Sequence, residues 1–436
     1  MNSIERHELR YKRRKKKRED VIDWIMDLEF DDIFSFDNMW KAAKKACKGS
    51  RWKTSTILYE TFIAREVMKT YIALRDGTRK FKGYNSFITV EHGKCRDIDA
   101  LHITERAMQK CFFNGIVNNV YVRSFIYDNS SSLKDKGMDF AFQRLLKQLR
   151  HHYRKYNTKG GILLFDFKSY FASLPHDKIK EIAKSKIKND VFYDIFCQYV
   201  DDYTKLKKFD KESAIAKGVG LGSGDLSQII ALDYASPIDH YIKSIRRIKG
   251  YGRYMDDGYV ISDSFKELED IKKNLFTICS ELGITLNSKK VKIIPFKDHA
   301  FTFLKIKFKL KESGKIVTKL SKRSIFAIKR KIHIFRKWLD SGVLDIESIT
   351  TSYQSWRSYT LKFDTYKTIH SLDELFLKTF EKELGKRRLE FKSTFKVTKD
   401  PSGLWRYFKK NKIDWMSMMS DEEPEIYNNK EFTHKG

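Results

Sequence analysis

The stretch that most constrains this 436-residue chain is Arg253-Tyr254-Met255-Asp256-Asp257-Gly258-Tyr259-Val260-Ile261-Ser262, where two adjacent carboxylates separate two β-prone runs. Aromatic and β-branched residues on either side of Asp-Asp-Gly predict a hairpin. Tyr254 and Met255 end one strand, Asp256, Asp257 and Gly258 supply the turn, and Tyr259, Val260 and Ile261 begin the return strand. Neighbouring carboxylates on a tight turn repel each other unless a positive group sits between them, and a divalent cation with oxygen ligands is the economical candidate. Taken alone, Asp-Asp-Gly reads far better as a solvated turn.

A second stretch decides between these readings. Gly161-Ile162-Leu163-Leu164-Phe165-Asp166-Phe167-Lys168-Ser169-Tyr170-Phe171 is an apolar run long enough for a buried strand, interrupted by one acid. Asp is depleted in central strands and costly to bury unpaired, so Asp166 is expected at the strand's exit, facing a cation. One carboxylate from this strand and a pair from the hairpin would make the acidic cluster of a two-metal site. Its ions, roughly 3.5–4 Å apart, activate a 3′-hydroxyl and stabilise a leaving pyrophosphate. The chemistry implied is nucleotidyl transfer.

The Tyr254-Met255-Asp256-Asp257 box, the Asp166-x-x-x-Tyr170-Phe171 segment about ninety residues earlier, and a Gly/Ser segment between them resemble, in that order, the palm domain of reverse transcriptases. The resemblance spans about residues 85–385. It implies an α+β right-hand polymerase fold with fingers, a palm of antiparallel sheet packed on helices, and a helical thumb. It assigns two Mg2+ ions, with Mn2+ as an alternative, to Asp166, Asp256 and Asp257, and adds Phe167 to the metal and nucleotide contacts. Phe171 would be the side chain that excludes a ribose 2′-hydroxyl; a plain core aromatic is the competing reading.

Other segments follow the same resemblance. Gly218-Val219-Gly220-Leu221-Gly222-Ser223-Gly224-Asp225-Leu226-Ser227-Gln228 is a glycine-rich loop opening a helix, with Gly222 and Gln228 as its nucleotide contacts. Leu221 stands where Gln is usual and Gln228 where Pro is usual, and the spacing from Gly222 to Ser227 is one residue longer than the common form. Ser-Gln at this place resembles diversity-generating and defence-associated bacterial enzymes. Tyr127 to Gly137 corresponds to the second finger motif, whose Lys134 and Lys136 are placed to cradle phosphate at a helix N-terminus. Lys94, Arg96 and Arg106 are placeholders for the cations that hold the triphosphate. Thr285 to Ile293 resembles the fourth palm motif, in which Lys289 or Lys290 would protonate the pyrophosphate, with Lys289 taken as the nucleotide contact. Phe303 to Leu310 alternates as one strand, with Leu304, Ile306, Phe308 and Leu310 inward and lysines outward, and resembles the primer grip.

Composition agrees with a polyanion partner. Lys plus Arg number 87 against 57 Asp plus Glu, a net charge of +30, with 14% aromatic residues. The five cysteines form no close pair and no zinc-ligand spacing, which suits free thiols in a reducing compartment. No stretch has signal-peptide or membrane-span character, so a cytoplasmic location away from membrane is expected. Residues 1–85 read as a basic arm and helical extension, 86–320 as fingers and palm, 321–385 as thumb, and 386–436 as a C-terminal extension with an acidic end. The charge run at 10–18 is expected to be mobile or ordered only against nucleic acid. Helices are expected near Asn38 to Lys48, Thr56 to Leu74 and Phe265 to Leu282, the last closed by Gly283, and after a cap at Asp345.

The expected function is RNA-directed DNA polymerase activity on a structured non-coding RNA template. Deoxynucleoside triphosphates, a cDNA product and an RNA–DNA duplex are the partners, and bacterial antiphage defence is the setting. A diversity-generating or retron-type enzyme is the alternative, and a catalytically inactive RNA-binding scaffold is the reading that intact Asp166, Asp256 and Asp257 oppose.

Overall fold

The computed structural model describes residues 3–91, 94–204, 216–221 and 224–385, and contact density divides the chain into two units, Met1–Lys297 and Asp298–Gly436. The first begins with helices Ser3–Met26, Phe30–Phe34, Phe36–Cys47, Thr54–Thr61 and Ile63–Arg75. The basic run at 10–18 thus lies within a single helix. Lys and Arg are good helix formers, and a Glu8–Lys12 pair adds i,i+4 support. The helix expected over 56–74 is two helices meeting at Phe62, whose backbone leaves helical geometry. Helix Phe36–Cys47 is capped by the Ser35 hydroxyl. It buries Met39, Ala42, Ala43, Ala46 and Cys47 at helical spacing, and this small-residue face packs on helix Ile103–Phe112.

Strands β1 (Tyr84–Glu91) and β2 (Lys94–Leu101) form an antiparallel hairpin. The sheet that positions the site has four antiparallel strands: β3 (Gly161–Asp166), β4 (Gly250–Tyr254), β5 (Asp257–Ser262) and β6 (Lys292–Pro295), in the order β4-β5-β3-β6. Being central, β3 is apolar almost throughout, with Ile162, Leu163 and Phe165 buried. Helix Phe265–Glu281 packs Leu268, Ile271, Leu275 and Cys279 beneath this sheet, and Gly283 closes it with a positive φ. Helix Met138–Tyr156 supports β4.

The hairpin differs from its expected form. The turn is Met255-Asp256 alone, while Asp257 and Gly258 belong to β5. Gly258 is there for packing and not for turning, because a Cβ on it would lie 2.2 Å from Cζ of Phe165, its partner across the strands. Met255 instead takes the positive φ, +55°, a conformation that costs a non-glycine residue free energy and persists only when its surroundings impose it.

In the second unit, β7 (Phe301–Phe303), β8 (Ile306–Leu310) and β9 (Ile316–Leu320) form an antiparallel sheet. Phe303 to Leu310 is therefore not one strand. Leu304 and Lys305 both have positive φ and make a two-residue hairpin turn, leaving Ile306, Phe308 and Leu310 inward. Helices Lys322–Asp340, Ile346–Thr360, Tyr366–Thr379 and Glu381–Leu384 follow, around a core in which Tyr353 stacks on Phe376 at 4.2 Å. Asp345 caps the second of these, as expected, accepting from the Ser348 N–H at 2.7 Å. The expected C-terminal extension beyond residue 385 lies outside the described residues.

Candidate active site

Register brings the two sequence motifs together. Asp166 ends β3 directly opposite Asp257, which begins β5, and Asp256 sits beside them on the turn. Residues opposite each other on antiparallel strands share a face, so two like charges are held within a few ångströms. Burial first, then Asp166, holds the Asp256 carboxyl above its ordinary range against the opposing pull of Lys290 and Arg96. Burial, Asp256 and Asp166 push Asp257 up to about 7, and its carboxyl hydrogen-bonds Asp166.

The segment after helix Phe265–Glu281 forms a floor to this cluster. Lys168 N–H donates to the Thr285 carbonyl and Asn287 N–H to that of Asp166, each at 2.8 Å, and Phe167 pairs with Leu286. These bonds place Lys290 Nζ 2.7 Å from Asp166 Oδ1 and Asn287 Nδ2 3.3 Å from Oδ2. Burial weakens the Lys290 charge, but the bond to Asp166 and the charges of Asp166, Asp257 and Asp256 together outweigh it and hold the ammonium's pKa above its usual value. Lys289, chosen from the sequence, is exposed; its neighbour is the one brought to the carboxylates. Phe167 is buried and its ring stacks on Tyr170 at 4.8 Å, so only its backbone is open to a ligand role. Phe171 is half-buried, edge-on to Tyr170, with part of its ring free.

The other sequence candidates divide. Gln228 is exposed and accepts from the Ser132 hydroxyl at 2.5 Å, which joins the glycine-rich segment to the second finger segment. Gly222 lies outside the described residues, as does the side chain of Lys94. Lys134 is exposed. Lys136 turns inward, its Nζ donating to the Tyr127 and Asn129 carbonyls at 2.8 and 2.9 Å, so it closes its own loop. Arg96 acts on Asp256 through its charge, whereas Arg106 donates to the Ala46 carbonyl and the Ser50 hydroxyl.

Sequence reasoning missed what holds the turn. Arg253 and Asp239 are both fully buried and pair through two bonds, Nε to Oδ1 at 2.8 Å and Nη2 to Oδ2 at 2.6 Å. The same guanidinium donates to the carbonyls of Met255 at 2.8 Å and Leu232 at 2.7 Å. Tyr251 and Asn129 complete the shell of Asp239. The positive φ of Met255 is thus held by a hydrogen bond to its own carbonyl from a residue two positions earlier. The backbone of Arg253 also pairs with Asp128 and Ser130, and Asp128 in turn receives Arg144, Gln148 and Lys243.

The donor set suits a hard divalent cation: oxygen donors only, with two carboxyls raised by burial and then by the charge of their neighbours. Among the described residues no three His, Cys, Asp or Glu side chains are gathered tightly enough to enclose an ion as they stand. Asp166 is drawn towards Lys290 instead.

The arrangement is an acidic cluster at the end of an antiparallel sheet, with a cation beside it and aromatic side chains leading away. The sequence profile of the reverse transcriptase (RNA-dependent DNA polymerase) family matches residues 85–308, just over half of the chain, and the chain belongs to that family. Among solved structures it is similar to telomerase from Candida albicans in complex with a TWJ fragment of telomeric RNA, at 11% identity and a TM-score of 0.45, covering 81% of this chain and 65% of that one. It is also similar to apo telomerase from Candida tropicalis truncated from the C-terminal domain, at 13% identity and a TM-score of 0.39, covering 55% of each chain. The chain thus spans 55–65% of the length of these structures. No curated protein sequence matches it. Among the described residues no helix is long and apolar enough to cross a membrane.

The raised value of Asp257 sets a pH dependence. With no cation bound, the folded chain keeps this proton up to about pH 7, whereas the unfolded chain releases it near 3.8. The stability it contributes is full below the unfolded value and is lost as pH rises through the folded one. In chelator, the denaturation midpoint of Asp257→Asn should therefore rise relative to wild type between pH 5 and pH 8. Parallel midpoint curves for the two proteins across that window would show that Asp257 is not held in the strained state described.

Proposed function

We propose that the chain is an RNA-directed DNA polymerase, and the observation that carries this is the placement of Asp166 opposite Asp257 with Asp256 on the adjoining turn, in a member of the reverse transcriptase family. Asp166, Asp256 and Asp257 would hold divalent metal, Mg2+ with Mn2+ as the alternative. When bound, it would supply the charge that activates the primer 3′-hydroxyl and neutralises the phosphates. Lys290, kept protonated beside Asp166, would deliver a proton to the leaving pyrophosphate, and its ion pair with Asp166 supports it over Lys289 for that role. Arg96 adds positive charge near Asp256 for a triphosphate. The first unit supplies fingers and palm, and the helices from Lys322 onward a thumb whose lysines and arginines suit a duplex backbone.

The net charge of +30 supports an RNA template, an RNA–DNA duplex and a cDNA product as partners. Ser227-Gln228 supports the finer reading, a bacterial enzyme copying a dedicated structured RNA in cytoplasmic antiphage defence, and equally a diversity-generating one. Sequencing the nucleic acid that copurifies separates them. A structured RNA encoded beside the gene fits defence; a repeat pair next to a variable protein fits diversification.

Sugar selection tests the DNA-making assignment at a single side chain. The half-buried ring of Phe171 follows Asp166 by five residues, and in this reading it would collide with a 2′-hydroxyl and pack against a deoxyribose. Phe171→Val should raise ribonucleotide over deoxyribonucleotide incorporation by about tenfold, roughly 1.4 kcal/mol of lost discrimination. An unchanged preference in single-nucleotide assays would remove Phe171 from the role.

A further inference from the structure

Among the described residues neither strand of the β1–β2 hairpin packs closely on another helix or strand, and Phe87, Ile88, Arg96 and Asp97 in its outer half are exposed. Polar groups at its stem decide its direction instead. Arg79, ahead of β1, sends Nη2 to Glu105 Oε2 and to Asp202 Oδ2, each at 2.6 Å, and the Lys82 N–H donates to Glu105 Oε1 at 3.0 Å. On the other side of the stem Asp99, 5% exposed, faces Ser86 across the strands and accepts from its hydroxyl at 2.7 Å. It also accepts from the Tyr203 hydroxyl at 3.0 Å, while its N–H donates to the Leu221 carbonyl of the glycine-rich segment at 3.0 Å.

Asp202 and Tyr203 are neighbours on the last turn of helix Asp190–Thr204, so the end of one helix holds both the chain entering the hairpin and the strand leaving it. The Tyr203 ring also meets that of Tyr84, the first residue of β1, edge-on at 5.8 Å. A buried carboxylate is stable only with its donors in place, and a buried ion pair only in good geometry, so these bonds permit little tilt. Tilt matters because Arg96 lies three residues beyond Asp99, about 10 Å along β2 at about 3.3 Å per residue. A rotation of roughly 6° at Asp99 would carry Arg96 about 1 Å, and displacements of that size are costly at a reacting centre. Arg96 is the cation of this hairpin whose charge reaches Asp256.

We propose that Asp99 and Tyr203 are positioning residues, whose bond fixes the tilt of the β1–β2 hairpin and thereby the reach of Arg96 towards the phosphates of an incoming nucleotide. Neither would touch the nucleotide. The bond to Leu221 ties the same joint to the glycine-rich segment, so one residue sets the hairpin and that segment together. The inference rests on the polymerase reading, in which Arg96 serves the triphosphate.

The test compares Tyr203→Phe, which removes one hydroxyl and keeps the ring against Tyr84, with Arg96→Ala and with the double variant, all in the full chain. Binding of deoxythymidine triphosphate is measured in Mg2+ without primer, which reads the site whether or not the chain makes DNA, and primer extension then gives KM and kcat. Each single variant should weaken binding about tenfold and raise KM to match with kcat little changed, and the double variant should bind no worse than Arg96→Ala. Losses that coincide in this way show that the hydroxyl acts through Arg96, which a merely structural role would not produce. If Tyr203→Phe does not fold, Asp99→Asn, which keeps the shape and one acceptor oxygen, takes its place in the same cycle with the same expectation. Additive losses, wild-type binding by the Tyr203 or Asp99 variant, or no binding of the triphosphate by wild type would overturn the proposal. A wild type that binds the triphosphate but extends no primer would instead sink the polymerase reading, and the binding cycle would still decide this one.

Discussion

Asp256→Asn and Asp257→Asn should each lower RNA-templated DNA synthesis by roughly a thousandfold, the loss of about 4 kcal/mol of transition-state stabilisation, while leaving the fold at least as stable at neutral pH. The two expectations belong together. Burial and the mutual repulsion of Asp166, Asp256 and Asp257 raise the latter two carboxyls, so the charges oppose the metal-free fold and serve something else. An isosteric amide relieves the repulsion but is a poorer ligand for a hard cation. Activity is read by primer extension and stability by denaturant titration in chelator. Inactive variants that had also lost stability would mean that the carboxylates hold the fold together, and their loss of activity would then say nothing about metal.

Arg253→Met has the opposite signature. It leaves Asp239 charged and fully buried with only Tyr251 and Asn129 as donors, and removes the bonds to the Met255 and Leu232 carbonyls. Breaking a buried pair by removing one partner costs about 3–5 kcal/mol, because the other charge is left uncompensated. The denaturation midpoint should fall accordingly. Replacing both partners, as in Arg253→Met/Asp239→Leu, should recover a large part of that loss, since two desolvated charges are then gone. Recovered stability should not restore DNA synthesis, because nothing would then hold the Met255 carbonyl and the positive φ that aims Asp256. A single variant as stable as wild type would refute the network's structural role, and a stable, fully active double variant would refute its positioning role.

What was legible in the sequence was the family, because carboxylates on apolar strands have few explanations. The order β3, then β4 and β5, and their meeting at Asp166 and Asp257, follow from two motifs whose acids interrupt otherwise buried runs. Local geometry was less legible wherever tertiary contacts override a residue's usual preference. Gly258 looked like part of the turn because Asp-Gly is a turn signal, yet the ring of Phe165 requires it. Met255 carries no turn signal, and its φ is imposed by the bond from Arg253. Leu304-Lys305 likewise turns a hairpin with neither glycine nor asparagine, so strict alternation read as one strand. The helix break at Phe62 has no proline or glycine to announce it. Lys289 and Lys290 are indistinguishable by composition, and only the Asn287 and Thr285 backbone bonds decide which of them reaches Asp166.

The central claim is that these carboxylates make DNA from an RNA template, and primer extension by the purified full chain addresses it most directly. The reaction holds a labelled primer on an RNA template with Mg2+ and either deoxyribonucleoside or ribonucleoside triphosphates, with Asp256→Asn in parallel. The account predicts template-directed extension by wild type with deoxyribonucleotides, little with ribonucleotides, and none by the variant. Extension by Asp256→Asn at the wild-type rate, or wild-type extension with ribonucleotides in preference, would contradict it.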